Sequence, residues 1–171
     1  MRRRFFYLLC GVALAALLTG ASSCGFFKPG AGKNDYRERL VTPRLILTIS
    51  DVALRRREDF YVCELVLEVS SLSKQELELS TPLVSLVAGP GEALPRYFQA
   101  FDHPPVLPPG KAAQFSLKYR LSNAHLAGEL WLDVDGQRKM VKSAGSGSAL
   151  PELGEEWVRF SSVHWGTQPV D

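Results

Sequence analysis

The residues of this chain that could do chemistry are few and scattered along its 171 positions. Its three histidines, His103, His125 and His164, fall in different predicted loops or in the C-terminal tail. A zinc site would gather such side chains at His-x-x-x-His or Cys-x-x-Cys type spacings, and none occurs, so the three read as surface residues. Asp133-Val134-Asp135-Gly136 has the look of a calcium-loop fragment, but Lys142 stands where the closing acidic ligand would fall. Asp-Gly is also the dipeptide that a two-residue β-turn prefers, and that reading is favoured. Copper-binding sandwiches use Met and His ligands, and Met140 is the only Met after the initiator. No phosphate loop, dinucleotide fingerprint or nucleophile elbow is present. No catalytic residue, metal ligand or cofactor is therefore expected, and the chain reads as a non-enzyme.

Cys63 sits within Tyr61-Val62-Cys63-Glu64-Leu65-Val66-Leu67-Glu68-Val69. The odd positions are apolar, which places its thiol on the core face of a strand as a small buried hydrophobe. Arg55-Arg56-Arg57 is a local basic cluster, read as a solvated turn between strands or, more sharply, as a contact for a headgroup or partner.

The elements that position these residues are β-strands. Leu45, Leu47 and Ile49 alternate within Arg44 to Leu54, and Phe60 to Ser70 carries the run around Cys63. Leu77 and Leu79 alternate with Glu76 and Glu78. Leu83 to Ala88 is a short apolar strand closed by Gly89-Pro90-Gly91. A further short strand is possible around Tyr97 to Phe101. The prolines at 104, 105, 108 and 109 make a stiff crossing that cannot be a central strand. Ala113, Phe115, Leu117, Tyr119 and Leu121 then face one way, against Gln114, Ser116, Lys118 and Arg120. Glu129 to Val134 and Gln137 to Lys142 form a hairpin about Asp135-Gly136, after at most a helical turn near Asn123 to Ala127.

Two segments are rich in aromatic side chains. Pro95 to Pro109 holds Tyr97, Phe98, Phe101 and His103 among prolines. These either cap one end of the core or present a partner-binding loop. After the linker Ser143 to Ser148, the tail holds Trp157, Val158, Phe160, Val163 and Trp165. It either packs on the domain or docks a partner through Trp157 and Trp165.

The N-terminus has a different order. Met1-Arg2-Arg3-Arg4 is basic, Phe5 to Leu18 is almost wholly apolar, and Thr19 to Ser23 is small, followed by Cys24. The apolar stretch falls short of the roughly 20 residues that span a bilayer. This order resembles a bacterial lipoprotein signal peptide with Ala21-Ser22-Ser23-Cys24 as its lipobox. The resemblance implies export, cleavage before Cys24 and acylation of that cysteine, including a diacylglycerol. Two or more acyl chains anchor a protein stably, each buried CH₂ contributing about 0.8 kcal/mol. An ordinary secretory signal cleaved after Thr19-Gly20-Ala21 is the alternative.

Loss of Arg2, Arg3 and Arg4 takes the 20 basic residues to 17 against 18 acidic ones, a formal charge of −1. Nucleic acid is not an expected partner of so balanced a chain. With Cys10 removed and Cys24 acylated, Cys63 would be left without a disulfide partner.

The strand pattern is similar to the immunoglobulin-like β-sandwiches of many bacterial lipoproteins, over roughly Pro43 to Lys142, without the cysteine pair of antibody domains. The expected organisation is thus a signal peptide at 1–23, a lipidated cysteine and tether at 24–43, an all-β sandwich of about seven to eight strands at 44–142, and a Gly/Ser linker with an aromatic tail at 143–171. The expected function is that of a cell-envelope lipoprotein, held to a bilayer through Cys24 and acting without catalysis as a structural module or one that binds an envelope protein. The alternative is an envelope small-molecule binder or enzyme with a pocket between the sandwich and the tail, His164 supplying a polar group.

Overall fold

The computed structural model describes residues 36–89, 91–98, 103–146 and 150–166. The signal peptide, Cys24 and Phe101 lie outside them. The described chain is all-β, with one short helix at Asn123–Ala127, α1.

The first sheet is built on two long strands, β2 (Leu45–Arg56) and β3 (Tyr61–Ser71), which pair antiparallel along nearly their whole length. β8 (Ala112–Leu121) pairs with the far side of β3. The other edge of β2 is shared: β1 (Leu40–Val41) covers its beginning and β11 (Val158–Phe160) its end. Between those two stretches β2 contains a bulge, where the register slips between Ile49 and Asp51. The slip changes which parity faces inward, so Leu45, Leu47 and Ile49 are buried before it and Val52 and Leu54 after it. Ser50, the extra residue, donates its hydroxyl to Val66 O at 3.0 Å.

The second sheet has the order β10-β9-β5-β6, where β5 is Val84–Ala88, β6 Glu92–Ala93, β9 Leu130–Val134 and β10 Gln137–Lys142. Its tight hairpin is the one expected at Asp135-Gly136. Both residues have positive φ, 53° and 80°, as a type I′ turn requires. Asp135 also accepts an ion-paired hydrogen bond from Arg44 at the head of β2. A two-stranded ladder, β4 (Leu77–Glu78) with β7 (Val106–Leu107), completes the described strands. The proline-rich crossing thus contains a short strand, between the proline pairs at 104–105 and 108–109.

Leu65, Leu67, Leu117 and Tyr119 of the first sheet and Leu86, Leu130, Leu132 and Val134 of the second belong to one buried cluster. Each such side chain contributes about 1.5–3 kcal/mol when fully removed from water. Cys63 lies in this core as expected. Ala113 has the parity expected of it but is exposed, as are its neighbours Ala112 and Gln114 at the start of β8.

The domain begins earlier than expected, and of the two readings of the tail the packed one is seen. The tether was expected to run to residue 43, yet Tyr36 is buried and Leu40–Val41 is a strand. The tail, read as either packing on the domain or docking a partner, packs: β11 pairs with β2, and Phe160, Val163 and Trp165 are buried. The two ends meet: the Trp165 indole N–H is 3.0 Å from the Tyr36 hydroxyl and 3.2 Å from Val141 O. The Tyr36 hydroxyl in turn lies 2.6 Å from Val141 O and 2.8 Å from Ser162 O. Lys142 is buried in the same region, its ammonium donating to Gly128 O and Ser143 O.

Candidate functional site

After β6 the chain passes from one sheet to the other, and the crossing positions the aromatic segment singled out in the sequence. Leu94 is buried and donates its N–H to Leu86 O of β5 at 2.8 Å. Pro95 O then accepts from Arg120 N–H at 3.0 Å, and Tyr97 N–H donates to Lys118 O at 2.8 Å. Residues 95–97 are therefore held along the C-terminal half of β8. The short strand expected around Tyr97 to Phe101 is not seen in its described part, Tyr97 and Phe98; an isolated bridge pairs the preceding Arg96 with Tyr119.

Arg96 pins this crossing from beneath. One guanidinium nitrogen donates to both Leu79 O and Val84 O at 2.8 Å, and the group lies over the Tyr119 ring at 4.9 Å. Burial lowers its pKa from the usual arginine value. A charge half out of water, held by two carbonyls and a ring face, fixes the backbone at residues 95–97. Sequence inspection missed this role, since Arg96 has no distinguishing neighbour in the chain.

Tyr97, Phe98 and His103 then line a groove of about 250 Å³ together with Arg96, Pro105, Ser116, Leu117 and Lys118. Tyr97 also reaches Phe60, with ring centroids 5.8 Å apart, and Arg120 covers the Phe60 ring at 4.3 Å. Phe98 is 48% exposed, the one aromatic among the exposed large apolar side chains of the described residues. The wall is cationic: Lys118 and Arg96 line it, and Lys118 is 3.6 Å from Glu64. Of the expected site residues, Tyr97, Phe98 and His103 are brought together here.

The tail residues are not part of that site. Trp165 is fully buried and stacks on Phe160 with centroids 4.4 Å apart, so it serves the core and cannot meet a partner from the folded state. Phe160 and Trp165, two of the aromatics expected to line a pocket between domain and tail, are both buried in the core. Trp157 lies against Arg55, whose guanidinium is 4.7 Å from its ring. Arg55 and Arg57 both bind the Glu155 carboxylate. Two members of the basic cluster thus fasten the tail, and this use was invisible in the sequence because Glu155 lies about a hundred residues away.

The histidines stay apart. His125 closes a capping box with Ser122 at the start of α1, and His164 Nδ1 is 2.9 Å from Ser143 Oγ. Among the described residues no three His, Cys, Asp or Glu side chains form a metal-binding group. Burial raises the Cys63 thiol pKa far above the usual range, which suits an inert core residue.

The Glu155 clasp gives a pH dependence. Its hydrogen bond to Arg57 holds the Glu155 pKa below the ordinary value of 4.5. The clasp's contribution to stability is present above that value and is lost as pH falls through the lower, folded-state value. Acid titration of the wild type should therefore weaken the tail in this window, and Glu155→Gln should remove that part of the dependence. Hydrogen exchange at Val158–Phe160 measures it; identical profiles for the two proteins would contradict the clasp.

A second groove, of about 400 Å³, lies between the N-terminal segment Glu38, Arg39, Leu40 and the hairpin residues Trp131, Arg138, Lys139 and Met140. Sequence inspection gave no sign of it, because the two segments meet only in the fold. Among the described residues no helix is long and apolar enough to cross a membrane.

No family model matches this chain, and no curated protein matches it. Among solved structures, it is similar to a conserved hypothetical protein from Bacillus anthracis, with 14% identity and a TM-score of 0.46, over 64% of this chain and 96% of that one. It is also similar to a protein of Bacillus subtilis subsp. subtilis str. 168, ycdA, classed provisionally as a lipoprotein, with 12% identity and a TM-score of 0.43. That alignment covers 71% of this chain and 37% of the Bacillus subtilis chain.

Proposed function

We propose that this chain is a lipid-anchored protein of the bacterial cell envelope, and that its domain is an immunoglobulin-like sandwich acting as a non-enzymatic protein-binding module. The strand order supports the fold reading. β2-β3-β8 takes the places of strands A, B and E, and β10-β9-β5 those of G, F and C, with β6 beside C. The N-terminal order of basic, apolar and small residues before Cys24 supports the anchor.

The observation that carries the binding role is Phe98. It is an exposed aromatic, seated in a groove whose floor is a sheet edge and whose backbone is pinned by Arg96. Rigid aromatics at such positions act as anchors for protein partners, because little side-chain freedom is lost on binding. The cationic wall suits a partner segment that pairs an apolar side chain with an acidic one.

Mass spectrometry of the protein from native membranes tests the anchor. Its N-terminal peptide should begin at Cys24 and carry the mass of a diacylglycerol and an additional acyl chain. An unmodified Cys24, or a peptide beginning at Ser22, would overturn it in favour of simple secretion.

A further inference from the structure

The groove beside the hairpin combines two chemistries. Trp131 and Met140 are direct cross-strand partners on β9 and β10, both half-buried, and Leu40 lines the same groove. Arg39, Arg138 and Lys139 line the same groove. Glu38 is the one carboxylate in its lining; the Lys139 ammonium donates to the Glu38 backbone carbonyl. Arg138 reaches Asp133 at 3.2 Å from a position 47% exposed. The Trp131 indole N–H donates to Glu129 at 3.1 Å, which holds the ring at the groove.

Along the chain, the groove lies close to the proposed lipid anchor. Residues 38–40 follow Tyr36, where the described fold begins, and Tyr36 is twelve residues from Cys24. Twelve residues reach at most about 43 Å. A lipid on Cys24 would therefore hold this face near a bilayer at high effective concentration. Under that condition weak contacts suffice: basic side chains are attracted to an anionic surface, and Trp favours the headgroup level.

We infer that this groove is the surface on which the domain rests against an anionic bilayer, with Trp131 and Met140 at headgroup level and Arg39, Arg138 and Lys139 facing lipid phosphates. The inference rests on the lipid-anchor reading, and the test separates the two. The chain from Cys24 onward, which contains every described residue of the fold, is coupled through Cys24 to a maleimide lipid; Cys63 is fully buried and does not compete. It is placed on vesicles of bromine-labelled phosphatidylcholine with or without phosphatidylglycerol, and tryptophan emission is read.

With phosphatidylglycerol present, the Trp131 share of the emission should be lost. This loss should be absent in Trp131→Phe and on vesicles lacking phosphatidylglycerol. It should also disappear in Arg39→Glu/Arg138→Glu/Lys139→Glu, with Arg39→Glu alone giving a partial effect should the triple variant fail to fold. No quenching in the wild type, or equal quenching with and without anionic lipid, would overturn the inference. Because the lipid is attached chemically, these outcomes judge the surface alone. An unmodified Cys24 in cells would instead overturn the anchor.

Discussion

Replacing Trp165 with Ala lowers the free energy of unfolding by about 3–5 kcal/mol, the range for losing a fully buried large aromatic. The loss is large against a total stability of about 5–15 kcal/mol for a domain. Two effects add. The cavity leaves Phe160 without the ring stacked on it at 4.4 Å. The Tyr36 hydroxyl and Val141 O also lose the indole donor that joins them, and buried polar groups left with fewer partners are costly. Urea unfolding followed by circular dichroism measures the change. A loss below about 1 kcal/mol, within the range of ordinary surface substitutions and small core changes, would mean that the tail is not part of the cooperative unit. Tyr36→Phe should cost less, since it removes the hydroxyl and leaves the packing in place.

Phe98→Ala behaves in the opposite way. Phe98 is half exposed, so its truncation should leave stability within about 0.5 kcal/mol of the wild type. If Phe98 is the anchor of a protein interface, the same change should weaken partner binding by about 2 kcal/mol or more, about 30-fold. The pair of variants separates the two aromatic segments: one holds the fold together and the other faces outward. Partner affinity unchanged in Phe98→Ala would contradict the assignment of the groove, and a large drop in stability would make Phe98 a cap on the core.

The parts of this structure that were legible in the sequence are those governed by near neighbours. The alternation around Cys63 gave β3 and its buried face, and Asp135-Gly136 gave the hairpin turn, whose two positive φ angles few other dipeptides tolerate. Tyr97, Phe98 and His103 drew notice as aromatic and polar side chains among prolines, and they do line one groove. What escaped notice depends on partners distant in the chain. Tyr36 and Trp165 are 129 residues apart, so no local pattern could show that the presumed tether and tail are sewn together. The basic cluster looked solvated until Glu155 and Trp157 were seen to lie on it. The bulge at Ser50 breaks the period of β2 midway, which made its second half read less clearly than its first. Arg96 and the groove beside Trp131 likewise exist only once two sheets and an N-terminal segment are brought together.

The most direct test of the binding role is photo-crosslinking in intact cells, with a photoreactive residue at position 98 of the full chain and a control at exposed Leu153. The account predicts one abundant envelope protein crosslinked from position 98 and absent from the control. It also predicts that an acidic segment of that protein lies at the crosslink, beside Lys118. No product specific to position 98, from protein shown to be folded and membrane-bound in the same cells, would contradict a protein-binding role for this groove.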